Sequence, residues 1–319
     1  MKKVYAVMYH YVRDLKHSRY PEIKAMDIDQ FEKQLEFFST NFNIITMEEV
    51  IKAWNEEEFD LPDRSLLLTF DDGYIDNYTN IYPILKRRHM QGSFFIPGKT
   101  ITENCVLNVN KIHFILACGE VQQIVKDMFE LLDKIRNEGY ELPTNEQLYK
   151  TFANPYGYDD KDTIFIKRIL QTGVEEKIRN RISSILFQKY VGISEEDFAC
   201  ELYMNKDQIR IMKEGGMFIG LHGYDHYWLG NLDEEKMMKD IDSALIVLKD
   251  FIEPNCWVIN YPFGSYNESV ISYIEKKGCK LGMSSKVDVA EKSRYGKFVL
   301  PRLDCNAFPP KSVSYKEYI

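Results

Sequence analysis

Several common functional signals are missing from this chain. No CxxC pair occurs, and the six cysteines, Cys105, Cys118, Cys200, Cys256, Cys279 and Cys305, are scattered. Such spacing argues against a thiolate zinc cage and reads as reduced, structural thiols. Positive charge is in deficit: 41 Lys and Arg against 49 Asp and Glu give a formal net charge of -8. A nucleic-acid backbone is therefore a poor partner, and no basic stripe offsets the balance. The short patch Lys86-Arg87-Arg88 reads as a solvated helix end. No apolar run approaches the roughly 20 residues of a membrane span. The opening "MKKVYAVMYHYVRD" has two lysines, but its apolar stretch is too short and too polar for an export signal. A cytoplasmic protein with no membrane span is expected.

What remains is ample for one large core plus an insertion: 319 residues, 45% of them hydrophobic. Residues 4–12, "VYAVMYHYV", are β-branched and aromatic and read as a first strand. Phe31, Leu35 and Phe38 recur at helical spacing behind acidic capping candidates. A short strand and a helix beginning near Thr46 follow. "RSLLLTF" (64–70) is a continuous apolar run, as expected of a strand covered on both faces. After Gly73 the spacing of Tyr78, Ile81, Tyr82 and Leu85 predicts a helix, and "GSFFIP" predicts another strand.

From about 101 to 204 this alternation stops. Val121, Ile124, Val125, Met128, Leu131, Leu132 and Ile135 form one apolar stripe. Val174, Ile178, Ile182, Ile185 and Leu186 form another, and "ANPYGYDD" (153–160) reads as a turn between them. The block is expected to be a helical insertion, serving as a lid or a self-association surface. Strand–helix alternation resumes at "NKDQIRIMKEGG", where Asn205 and Gln208 can make a reciprocal cap. It continues through "MFIGLHG", a long amphipathic helix, "CWVINYPFG", a further helix, "CKLGMSS" and "FVLPRLDCN". Repeated strand–helix units with apolar strands imply a parallel sheet, open or closed into a barrel.

In such sheets function gathers at the C-terminal ends of strands. Four predicted strand ends carry notable residues: His10, the pair Asp71-Asp72, His222 with His226, and "YPFG" from Tyr261. With six histidines in the chain, two of them four apart just after a strand stand out. Two imidazoles and one carboxylate leave a fourth position open, the pattern of catalytic zinc and related metals. HxxxH is nevertheless a short pattern that two unrelated histidines would also produce. Adjacent carboxylates repel, and a divalent cation beside them removes the conflict. One Asp can bind the ion while the other stays available as a base. The plainer alternative is an Asp-Gly turn with Asp72 capping a helix.

"TFDDG" (69–73), "HGYDH" (222–226) and "YPFG" (261–264) resemble the first three motifs of the polysaccharide deacetylase family, in the family's order. "MYHYV" and "LPRLD" resemble further stretches seen in its members, and the likeness covers about 4–102 and 203–306. The resemblance implies an α/β fold, a distorted (β/α) barrel of about seven strands with a large helical insertion. The expected parts are 1–102, 103–203 and 204–319. It implies metal-dependent removal of an N-acyl group from an amino sugar by cation-activated water. Carried over by position, Asp71 is the general base, and Asp72, His222 and His226 are the ligands. The backbone N–H of Phe263 helps to hold the oxyanion. The cation is expected to be zinc, with cobalt, nickel, iron and manganese fitting the same donors.

Three departures bear on mechanism. Gly223 stands where the family has Ser or Thr, so a hydroxyl that braces the loop is missing. Asn260 stands about where an Arg often contacts the base, and Arg302 is a candidate to supply that charge from another strand; pairing with Asp304 is its alternative. No histidine follows His226, so the family's late proton donor is absent and His10 is the remaining candidate. Tyr74, Tyr224, Tyr227, Trp228 and Tyr261 could face the sugar, although aromatics in such loops often simply pack. Candidate substrates are a small N-acylated sugar, a nucleotide-sugar or a glycan intermediate. A barrel that binds sugar without turnover is one alternative, and a metal-dependent phosphoesterase is another.

Overall fold

The structure, a computed structural model, describes residues 3–155 and 159–318. It forms two compact units: Met1–Asp14, Ala25–Glu103 and Cys200–Ile319 make the first, and Leu15–Lys24 with Asn104–Ala199 make the second.

The strands in chain order are β1 (Lys3–Tyr9), β2 (Val12–Arg13), β3 (Met26–Asp27), β4 (Asn43–Ile44), β5 (Ser65–Phe70), β6 (Ser93–Ile96), β7 (Phe218–Leu221), β8 (Trp257–Asn260), β9 (Cys279–Met283), β10 (Ala290–Glu291) and β11 (Leu303–Asp304). Seven follow one another around the main sheet as β10-β1-β5-β6-β7-β8-β9, with β4 and β11 pairing beside β5 and β1. Every neighbouring pair from β1 to β9 is parallel, and β10 runs antiparallel to β1. This is the expected curled β/α barrel. Its seam is made by a nearly strandless stretch. Leu300 bridges Met283 of β9, and three residues later Leu303 and Asp304 pair with Val7 and Met8 of β1.

The barrel helices are α1 (Ile28–Asn41), α2 (Met47–Asn55) and α3 (Tyr82–Arg87) before the insertion. Then come α4 (Asn108–Cys118), α5 (Val121–Asn137), α6 (Asn145–Phe152), α7 (Lys161–Arg168), α8 (Glu176–Tyr190) and α9 (Glu195–Leu202). After them the barrel resumes with α10 (Lys206–Glu214), α11 (Glu234–Leu248) and α12 (Glu268–Lys276). Local chemistry explains their starts. Thr46 with Glu49 and Asn205 with Gln208 form reciprocal capping boxes, and Asp27, Asp233 and Asn267 cap α1, α11 and α12. Ahead of α3 the expected helix opens as a π-turn over Asn77–Ile81.

Alternation along the strands builds two apolar layers. Leu66, Leu68 and Phe70 of β5 pack outward with Phe31, Leu35 and Phe38 of α1. Leu67 faces inward with Val4, Ala6, Phe95, Val258, Leu281 and Leu300, and α2 closes this inner cluster with Val50 and Trp54. The same inward rows turn polar at their C-terminal ends. Ala6 leads to His10, Leu67 to Thr69 and Asp71, Gly220 to His222, Val258 to Asn260, and Leu300 to Arg302. Period-2 geometry thus carries chemistry to one end of the barrel without disturbing its core.

In the second unit, Ile124, Val125, Met128, Leu132 and Ile135 of α5 are buried, as are Ile178, Ile182 and Leu186 of α8. Ile185 departs from its expected stripe and is 40% exposed. Residues 15–24 look irregular in sequence, yet they belong to this helical unit: the Tyr20 ring packs edge-on against Phe114 and Phe198. Of the turn expected at 153–160, residues 156–158 lie outside the described residues.

Candidate metal and catalytic site

Two left-handed residues after β5 make the first half of the site. Asp72 and Gly73 adopt φ of 71° and 67°, turning the chain so that both Asp71 and Asp72 remain within 2% of full burial. The Asp71 amide donates to the Tyr9 carbonyl at 3.0 Å, and Gly73 accepts from the Met204 amide at 3.0 Å. The second half follows β7, where His222 and His226 project from a loop with its own left-handed residues, Gly223 at 68° and His226 at 54°.

These halves meet. Asp72 Oδ1 lies 3.3 Å from His222 Nε2 and 3.2 Å from His226 Nε2. Among the described residues these three form a cluster of metal-ligating type, with donor atoms within 4.8 Å of one another. Asp72 Oδ1 is buried without a hydrogen-bond partner. A buried carboxylate oxygen left open is costly unless something fills the gap, and the donor set suits a divalent cation. Two of the three side chains are held from behind. Tyr74 donates its hydroxyl proton to Asp72 Oδ2, and His222 Nδ1 sits 2.7 Å from the Asn260 carbonyl. Both contacts orient these side chains so that one oxygen and one nitrogen face the shared point. Burial alone raises the Asp72 carboxyl, but the two imidazoles outweigh it and hold the group well below the usual carboxylate range. Burial lowers both imidazoles; in His222 the Asp72 and Asp71 carboxylates overcome it, whereas in His226 burial wins.

Asp71 lies beside this cluster with a different partner. Arg302 grips it in bidentate fashion, Nη1 to Oδ1 and Nη2 to Oδ2, both at 2.9 Å. The guanidinium is itself fixed by the Ser284 carbonyl and Thr69 Oγ1. Burial pushes the Asp71 carboxyl up, and the Arg302 charge, with His222 and His10, more than reverses this, leaving it below its ordinary value. Arg302 therefore pairs with Asp71 rather than with Asp304. His10 Nε2 is 3.8 Å from Asp71 Oδ2, with 40% of its side chain exposed.

Phe263 adopts φ of 56°. Its ring meets the His226 ring edge-on at 4.6 Å and stacks on Trp228 at 4.5 Å, with 7° between the planes.

The sequence matches the profile described as Polysaccharide deacetylase over residues 58–153 and 184–282. The chain belongs to the polysaccharide deacetylase family. The match enters the helical block, which the motif resemblance alone left outside. YxkH of Bacillus subtilis (strain 168), which bears the polysaccharide deacetylase name, is 18% identical over 302 residues, 94% of this chain and 71% of its own. Solved structures share the fold. The Streptococcus pyogenes deacetylase PplD, solved with acetate, superposes with a TM-score of 0.59 at 16% identity, covering 99% of this chain and 96% of its own. The de-N-acetylase of Aggregatibacter actinomycetemcomitans gives 0.56 at 14% identity, with both chains fully covered. IcaB from Ammonifex degensii gives 0.55 at 16%, covering 99% and 97%.

Against the polysaccharide deacetylase pattern, some expected aromatic roles change. Tyr74 is fully buried, stacked at 4.0 Å on Tyr11 and bonded to Asp72, so it holds that carboxylate and offers no ring to a sugar. Tyr261 is also sealed, its hydroxyl donating to the Phe298 carbonyl at 3.0 Å. Tyr224 is half-buried and donates its hydroxyl to Glu103, and Lys236 lies over the Tyr227 ring. Sequence reasoning missed Asp240. This buried acid on α11 accepts backbone N–H groups from Tyr224 and Asp225, inside the histidine loop. One signal was available: Asp240 falls in register with the apolar face Met237, Ile241, Ala244 and Leu248.

No helix among the described residues is long and apolar enough to cross a membrane.

Proposed function

We propose that this protein is a metal-dependent hydrolase that removes an N-acyl group, in the first instance acetyl, from an amino sugar or a glycan precursor. The observation that carries the reading is a base beside an open three-ligand cluster. Asp71, clamped by Arg302, adjoins Asp72, whose orphaned Oδ1 faces two imidazoles.

A divalent cation held by Asp72, His222 and His226 would supply Lewis acidity toward the acyl carbonyl and lower the pKa of water. Asp71 takes the proton of the attacking water on a carboxylate oxygen. Arg302 keeps that carboxylate ionised and aimed, so little reorganisation accompanies the transfer. As the acyl oxygen gains charge, the Phe263 backbone N–H donates to it. Water oxygen ends on the acyl carbon, the C–N bond breaks, and the leaving nitrogen takes a proton, for which His10 is the nearest open-side donor. Trp228, stacked on Phe263, provides a flat ledge for a sugar ring.

Metal content and acetate release from a panel of N-acetylated amino sugars and nucleotide-sugars test the proposal. Asp71→Asn should keep the metal and lose about 100-fold or more in kcat, whereas His222→Ala should lose metal and turnover together. Undiminished turnover in Asp71→Asn would remove the base. The absence of a histidine after His226 favours a second reading, a sugar-binding barrel without turnover. Bound metal and saturable sugar binding with no acetate release would select it.

A further inference from the structure

Between the two histidines the chain has only Gly223, Tyr224 and Asp225. This short connection is held on two sides. The carbonyls of Gly223 and Tyr224 accept from the amides of Gly98 and Lys99, both at 3.0 Å. Lys99 Nζ bonds Asp225 Oδ2 at 2.7 Å. On the other side, the amides of Tyr224 and Asp225 donate to Asp240 Oδ2 and Oδ1, at 2.8 and 2.9 Å. One carboxylate on a rigid helix thus fixes two consecutive peptide planes.

The loop needs this support. His226 holds φ of 54° without being glycine, a conformation that persists only where the surroundings impose it. Left to relax, it would swing its imidazole away from Asp72. Gly223 is matched to the same acid. Its φ is 68°, and an added Cβ would stand 2.9 Å from Asp240 Oδ2, so a side chain there would displace the carboxylate. The absent hydroxyl at 223 and the buried acid at 240 are therefore two halves of one arrangement. Burial pushes the Asp240 carboxyl up to about 6 against the pull of the two amides, so it stays mostly ionised at neutral pH.

We infer that Asp240 is a positioning residue for the metal ligands, its carboxylate taking the place of a loop hydroxyl in holding His222 and His226 at one point. The inference rests on the metal site proposed above.

The test measures zinc affinity by chelator competition and the cobalt(II) d–d spectrum, on the whole chain stripped of metal. Asp240→Asn keeps the shape but turns an N–H toward a backbone N–H. It is expected to weaken zinc binding about 10-fold or more and to alter the cobalt spectrum, while the metal-free melting temperature stays within a few degrees. Asp242→Asn, on the same helix but in a half-exposed pair with Lys277, should change neither readout. Should Asp240→Asn fail to fold, Asp240→Ala is read the same way. In the wild type, the Tyr224 and Asp225 amides should exchange slowly with solvent in the metal-free state. Wild-type affinity and spectrum in the Asp240 variant, or fast exchange of those amides, would overturn the inference. A wild type that binds neither zinc nor cobalt would instead overturn the metal site, and this inference with it.

Discussion

His10 and Asp71 face each other across 3.8 Å, yet their surroundings suit opposite tasks. Asp71 is 2% exposed and locked by a guanidinium, an arrangement that suits the proposed base by returning it to one geometry. His10 directly follows β1 and is open on one side, where a leaving amine could reach it. The two tasks separate by leaving group. An amide nitrogen must be protonated as it departs, whereas a nitrophenolate need not be. His10→Ala is expected to lower kcat about 100-fold or more on N-acetyl sugars and less than about 10-fold on 4-nitrophenyl acetate. Equal losses on both would remove His10 from the donor role. Residue type carried these assignments only part of the way. The Asp-Asp pair and HxxxH each had a plainer reading alone and stood out only together, at predicted strand ends and in a motif order that resembles a family. Tyr74 and Tyr261 misled because an aromatic next to a motif gives no sign of which way it points, and both turned inward.

Strands and helices were legible where period and capping agreed, as at Thr46–Glu49 and Asn205–Gln208. They were least legible at the barrel seam, where pairing is carried by a single bridge at Leu300 and two residues of β11. So few residues leave no period to detect. Residues 15–24 were obscure for a related reason, since Tyr20 packs on Phe114 and Phe198, 94 and 178 positions away. The seam makes its own prediction. The amide of Gly282 on β9 donates to the Lys297 carbonyl, and its carbonyl accepts from the Leu300 amide. A Cβ at Gly282 would stand 2.7 Å from the Phe298 carbonyl, a backbone atom that cannot swing aside. Gly282→Ala should therefore cost about 1–3 kcal/mol in denaturant unfolding, with a fall in turnover because Arg302 rides on the displaced stretch. A variant as stable and as active as wild type would show that the seam yields easily.

Across the molecule, all three proposed ligands, the base and its guanidinium belong to the first unit, and the helical second unit contributes none of them. Metal binding should then stabilise the units unequally. Zinc at about 100 times its Kd adds about 2.7 kcal/mol to whatever binds it. In calorimetry, zinc is expected to raise the transition of the first unit by several degrees and a chelator to lower it again. Where a second transition is resolved, it should stay in place. A melting profile indifferent to zinc would contradict the site.

Arg302 follows the seam's bridge to β9 and precedes its pairing with β1, so closing the barrel and pairing the proposed base are one event. During synthesis, Asp72, His222 and His226 all leave the ribosome before Arg302 does. A growing chain can thus hold all three proposed ligands while Asp71 still lacks its counter-ion, and the proposed hydrolysis waits for the last stave to be laid.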